Sequence, residues 1–166
     1  MKKILLLGLL VFSGFLCKAQ NPCDKIEVNK DDVRGYTSYD TPYKPGLRRQ
    51  IWLTKIVEPG KPSEYYLHIL EMESVGKVVN GAYLLLANGK RIAKPNIEVT
   101  LNTNPNSSDD DVIPVPYIQQ VDIKLTNSDV IALKTSPIKK YAFSCFSAME
   151  IDGNELYHEF LCMVKK

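Results

Sequence analysis

The chain has 166 residues, with 21 Lys or Arg against 19 Asp or Glu and a hydrophobic content of 45%. That is enough for one domain with a true core, and a near-neutral chain without a basic stripe offers no electrostatic footprint for nucleic acid. The sequence also lacks a phosphate-binding loop, a dinucleotide fingerprint, a Gly-x-Ser-x-Gly elbow and the C-x-x-C, H-x-H or H-E-x-x-H spacings of metal sites.

Residues 1–19, MKKILLLGLLVFSGFLCKA, have a Lys-Lys start, an apolar run from Ile4 to Leu16 and a small residue at Ala19. This is the layout of a secretory signal peptide of bacterial style, too short to anchor the chain in a bilayer. Phe15 and Leu16 before Cys17 do not suit lipid modification, which follows small residues. The expectation is cleavage near Ala19 and a secreted or periplasmic domain over residues 20–166, with no stable membrane insertion. Losing Lys2, Lys3 and Lys18 takes the basic count from 21 to 18 against 19 acidic, a formal charge of −1.

Short runs rich in Val, Ile, Leu and Tyr follow, separated by Gly, Pro and Asn, the punctuation of an all-β protein. KIEVN near the start alternates briefly. RQIWLTKIVE and EYYLHILEME, from Arg49 and Glu64, are apolar on both faces and predict central strands joined by a PGKPS loop. In AYLLLANGKRIAK the Asn88-Gly89 pair predicts a two-residue type I′ hairpin, with Leu85 opposite Ile92 and Leu84 opposite Ala93. NIEVTLN should turn Ile97, Val99 and Leu101 inward. The polar run 102–111, with its acidic tip Asp109-Asp110-Asp111, reads as an exposed loop, since it lacks the alternating ligands and glycine of a calcium loop. QQVDIKL should bury Val121, Ile123 and Leu125 and expose Asp122 and Lys124. Thr126 and Asp129 have capping-box spacing, so one or two helical turns are expected before Pro137.

SCFSAMEIDGNELYHEFLCM, residues 144–163, brackets the turn signal Asp152-Gly153-Asn154-Glu155. A type II′ turn at Gly153-Asn154 makes this the final hairpin, with Met149 opposite His158 and Cys145 opposite Cys162. In that register the two cysteines form a non-hydrogen-bonded pair with Cα atoms about 4.5 Å apart, within reach of a disulfide. A Cys145–Cys162 bridge is therefore expected on the core side. Cys23 is left as a free thiol, an intermolecular bridge, or an alternative partner for one of the other two.

Two features could carry function. Tyr36, Tyr39, Tyr43 and Trp52 lie close to Arg48 and Arg49 in YTSYDTPYKPGLRRQIW, an aromatic and basic group suited to a glycan or a protein partner. His68 and His158 could each pair with a carboxylate in a small periplasmic hydrolase, although His68 reads as a hydrogen-bonded core residue and His158 as part of the last strand. The sequence as a whole predicts a two-layer antiparallel β-sandwich of about eight strands, with one short helix before the final hairpin. Its expected role is a secreted, non-catalytic binding or accessory domain without metal or cofactor. A small hydrolase, or a purely structural or adhesion-type surface protein, are the alternatives.

Overall fold

The computed structural model describes residues 21–43, 49–73, 78–103, 117–146 and 148–166. Residues 1–19, Arg48 and the acidic tip Asp109-Asp110-Asp111 lie outside them. A 3-10 turn, Pro22–Lys25, leads into β1 (Glu27–Asp31), β2 (Tyr36–Asp40), β3 (Arg49–Val57), β4 (Glu64–Glu73), β5 (Ala82–Leu86), β6 (Arg91–Lys94), β7 (Thr100–Thr103) and β8 (Tyr117–Leu125). Helix α1 (Asn127–Thr135), β9 (Ile138–Phe143), β10 (Met149–Glu150) and helix α2 (Asn154–Lys165) complete the chain. The strands make two antiparallel sheets in the orders β1-β2-β3-β4-β8-β7 and β10-β9-β5-β6, an all-β sandwich-like fold.

The alternation in β8 appears as expected: Val121, Ile123 and Leu125 are buried, while Asp122 and Lys124 are exposed. β3 and β4 do run through the centre of the large sheet and are joined by the loop at residues 58–63. Their inner residues Leu53, Leu67 and Ile69 meet Leu84, Leu86 and Phe143 of the small sheet in one core. A buried carboxylate links the layers: Glu71 on β4 accepts from the Tyr141 hydroxyl of β9 at 2.9 Å and from Arg49 Nε at 3.1 Å. Burial first, and the Glu71 carboxylate second, push the Tyr141 phenol far up, which keeps it a donor.

Two alternation readings fail at the sheet edges. Leu101 on β7 and Val28 on β1 are both exposed, and each lies on an edge strand of the large sheet whose residues are exposed almost throughout. The Asn88-Gly89 hairpin exists with a different register, pairing Leu84 with Ile92 and Leu85 with Arg91. Gly89 has φ 85° and Asn88 does not share a positive φ, while the Leu86 amide bonds the Lys90 carbonyl. The connection is thus a three-residue loop closed by a left-handed glycine, not a type I′ turn. A slip of one residue would turn a strand over, and burying both Leu84 and Ile92 selects the observed register.

Helix α1 begins as expected. The Thr126 hydroxyl accepts from the Asp129 amide, and Asp129 accepts from the Thr126 amide at 2.8 Å. Lys94 of β6 also donates to Asp129 at 2.7 Å, tying the helix to the small sheet. Burial works to raise the Asp129 carboxyl, but donation from Lys94 and Thr126 outweighs it and leaves the group below its usual value of 3.8. A depressed carboxylate stabilises the fold above its unfolded pKa and loses that contribution as pH falls below it. Asp129→Ala is therefore expected to cost about 1–2 kcal/mol at pH 7, and progressively less as acid protonates the parent's own Asp129 carboxylate. Urea melts of both proteins at neutral and acid pH measure this.

The final segment overturns the hairpin. Residues 154–165 form α2, and Met149 pairs with Tyr141 of β9 rather than with His158. Gly153 has φ −79°, not the positive φ that a type II′ turn requires at its first central residue. The helix instead buries Glu159, Phe160, Cys162 and Met163, and Phe160 meets Tyr65 edge-on at 6.1 Å. Cys162 accordingly pairs with Cys23 of the 3-10 turn, and not with Cys145. Cys145 lies exposed in the turn after β9, on a different element. At the far end of α2, buried Lys55 donates to the Met163 carbonyl at 3.4 Å, with Nζ 5.6 and 5.8 Å from the Tyr39 and Tyr65 rings. A cation there complements the negative end of the helix, although burial, and Lys134 after it, lower the pKa of the amine.

Candidate functional site

Backbone pairing decides which face each side chain joins. Trp52, His68 and Asp122 are directly opposed across β3, β4 and β8, and Asp40, Thr54, Tyr66 and Lys124 form the next row. These positions alternate with the core residues Leu53, Leu67 and Ile123, so both rows lie on the outer face of the large sheet. Here EYYLHILEME, apolar on both faces, carries its histidine outward. His68 is hydrogen-bonded as the sequence suggests, but not in the core.

The His68 side chain is 17% exposed and engaged at both nitrogens. Nδ1 lies 2.7 Å from Asp122 Oδ1, and Nε2 lies 3.0 Å from the Thr54 hydroxyl. Thr54 donates to Asp40 Oδ1 at 2.6 Å, while Ser38 donates to the other oxygen of Asp40 at 2.9 Å. Gln120 Nε2 donates to Asp122 Oδ1 at 2.9 Å. A continuous polar chain thus crosses four strands, Asp40–Thr54–His68–Asp122, with carboxylates at both ends. Asp122 is 51% exposed, so one end is open to solvent.

Aromatic rings flank this chain. His68 stacks on Trp52 at 4.9 Å and 14°, and Tyr43 meets the Trp52 ring edge-on at 4.9 Å. Tyr66 stands on the other side of His68 at 6.3 Å and 22°. Lys124 Nζ sits 5.8 Å over the Tyr66 ring and 2.5 Å from Glu64 Oε1, and the Tyr66 hydroxyl also donates to Glu64 at 2.6 Å. These donors, Lys124 first and Tyr66 second, hold the Glu64 carboxyl below its usual range, and the bond to Glu64 raises the Lys124 ammonium.

The aromatic group read from the sequence is only partly assembled. Tyr43 and Trp52 touch. Tyr39 opposes Lys55 and therefore faces inward, while Tyr36 shares the outer face four residues beyond Asp40. Arg49 belongs to the inner side, bound to Glu71. His68, Tyr66, Thr54, Asp40 and Asp122 take the places of the residues that move away. His158 lies exposed on α2 beside Tyr157, not on a strand. The one signal available is the alternation of QQVDIKL, which turns Asp122 outward; EYYLHILEME, apolar on both faces, brings His68 beside it only once the two strands are paired.

A groove of about 480 Å³ between β3, the 3-10 turn and the start of α2 is lined by Lys25, Arg49, Ile51, Trp52, Glu155 and Leu156, so it adjoins the outer face at Trp52. Its two cations are engaged, Lys25 by Glu155 and Arg49 by Glu71. Among the described residues no group of three or more His, Cys, Asp or Glu side chains could hold a metal ion.

Comparison of the chain with protein-family models, with curated proteins and with solved structures finds no match in any of the three. The chemistry of the outer face is read from its own geometry.

Proposed function

We propose that the protein is an exported, non-catalytic binding domain whose ligand surface is the outer face of the large sheet around Trp52 and His68. The observation that carries this reading is the coupling of a row of rings, Tyr43, Trp52 and His68, to the hydrogen-bonded chain from Asp40 to Asp122. Rings fixed by stacking offer contact area at little entropic cost, and the polar chain beside them presents charge with defined geometry. A sheet face built on central strands is also rigid, which lowers the cost of binding. Export is supported by the leader-like start of the sequence and by the Cys23–Cys162 bridge, since disulfides persist in oxidising compartments. Among the described residues no helix is long and apolar enough to cross a membrane.

The hydrolase alternative would use Thr54 as nucleophile, His68 as base and Asp122 to orient it. The hydroxyl has one proton, and its closer acceptor is Asp40 at 2.6 Å rather than His68 at 3.0 Å. A second carboxylate competing for that proton works against its transfer to the ring. The two readings separate in one set of assays. Trp52 is the sole tryptophan, so its emission responds to a ligand on this face and to one in the adjoining groove that it also lines. Titration with a panel of oligosaccharides and peptides is expected to shift that emission for at least one class, while ester, glycoside and peptide hydrolysis stay at background in both the parent and His68→Ala. Turnover that disappears in His68→Ala would establish the hydrolase instead.

A further inference from the structure

The charge of the outer face identifies the ligand more narrowly, on the basis of the binding reading above. Among the described residues, the outward positions of the six strands carry the carboxylates of Glu27, Asp31, Asp40, Glu64 and Asp122, against Lys124 and His68. Two of the five are neutralised by lysine or arginine: Glu64 by Lys124, and Asp31 by Arg34 at 3.7 Å. Asp40 is held by the neutral donors Ser38, Thr54 and Asn29, and Asp122 by His68 and Gln120. Lys55 and Arg49 of β3 face inward and do not balance these charges. The face is therefore acidic around an aromatic centre.

We propose that this face binds an extended, Lys- or Arg-bearing segment of a protein partner. Lys124 already shows the mode of contact: its ammonium lies over the Tyr66 ring and pairs with Glu64. The ridge of Tyr43, Trp52 and His68 runs beside Asp40 and Asp122, so the apolar stem of a bound lysine or arginine lies along the rings while its head reaches a carboxylate. Scale favours a peptide over a small amine. From Glu27 on β1 to Asp122 on β8 the surface crosses four strand spacings, about 19 Å, which matches about six residues of extended chain. Leu70 and Gln50, 5% and 6% exposed, close the next row along, so the accessible strip is the one containing the carboxylates.

The test follows Trp52 emission while the mature protein is titrated with four probes: a Lys/Arg-rich decapeptide, a Glu/Asp-rich decapeptide, spermine and a neutral hexasaccharide. Only the basic peptide is expected to shift the emission, with affinity falling about tenfold between 50 and 300 mM NaCl as the charges are screened. Asp122→Asn should weaken binding about five- to tenfold, and Glu27→Gln, which touches no ring, about twofold, whereas Glu150→Gln on the small sheet leaves it unchanged. Circular dichroism establishes that each variant is folded. Spermine binding as tightly as the peptide would overturn the peptide class. A response to the hexasaccharide or the acidic peptide alone would overturn the cationic ligand while leaving the binding domain standing, and silence from all four probes would remove both.

Discussion

Removing the Cys23–Cys162 bridge by Cys23→Ser with Cys162→Ser is expected to lower the unfolding free energy by about 5 kcal/mol. The two residues are 139 positions apart, so the bond closes almost the whole described domain into one ring. In the chain-entropy view, a ring of that size removes about 5 kcal/mol of freedom from the unfolded state. The bridge also fixes the 3-10 turn to α2, where Lys25 and Glu155 form an ion pair on the same seam. That exposed pair adds little by comparison. Equilibrium unfolding in urea measures the difference, and a loss below about 1 kcal/mol would mean the bridge leaves the unfolded ensemble unconstrained. Peptide mapping without reductant should recover the Cys23 peptide joined to the Cys162 peptide; a Cys145–Cys162 linkage would contradict the helical C-terminus.

Gly153→Ala is the second large effect, expected to cost about 3 kcal/mol or more. A Cβ on Gly153 would lie 2.1 Å from the Ile138 carbonyl oxygen, which is backbone and belongs to β9. No side chain can rotate away, so either β9 or the start of α2 must move. Both movements disturb the seam where Leu156 and Phe160 pack beside Ile138 and Leu53. The glycine is thus required by close approach and not by its φ of −79°. Had the segment been a hairpin with a type II′ turn, alanine would be penalised for its positive φ, and an asparagine there would recover much of the loss. In the helical structure Gly153→Asn should be at least as damaging as Gly153→Ala, because it adds more atoms at the same contact. Thermal melts of the two variants distinguish the cases.

Those two substitutions bear on the segment where the sequence is most ambiguous. In ELYHEFLCMVK the residues Leu156, His158, Phe160, Cys162 and Val164 alternate as a strand would, while Leu156, Glu159, Phe160 and Met163 recur as one helix face. Both patterns fit a short apolar run, and tertiary packing against β3 decides for the second. The twelve residues Asn154–Lys165, among them the helix formers Glu, Leu, Met and Lys, are long for a strand, and that length was the available clue. By contrast β8 was legible because its outer face is wet, leaving Val121, Ile123 and Leu125 one way to point. The capping box at Thr126 and Asp129 was legible because its bonds are local. β4 hid its outer residues: with both faces apolar, nothing within EYYLHILEME says which way His68 points until its register with β3 and β8 is known. The candidate site is long-range by nature, joining residues from Asp40 to Asp122.

The proposed ligand surface is the outer face of the large sheet. The most direct measurement is a ¹H–¹⁵N correlation map of the protein titrated with the Lys/Arg-rich decapeptide. Shift changes are predicted at the Trp52 indole and at the amides of Thr54, Tyr66, His68 and Asp122, with α2 and the small sheet undisturbed. Changes centred on Lys25, Glu155 and Leu156, in the groove beside α2, or on β5 and β9, would contradict it.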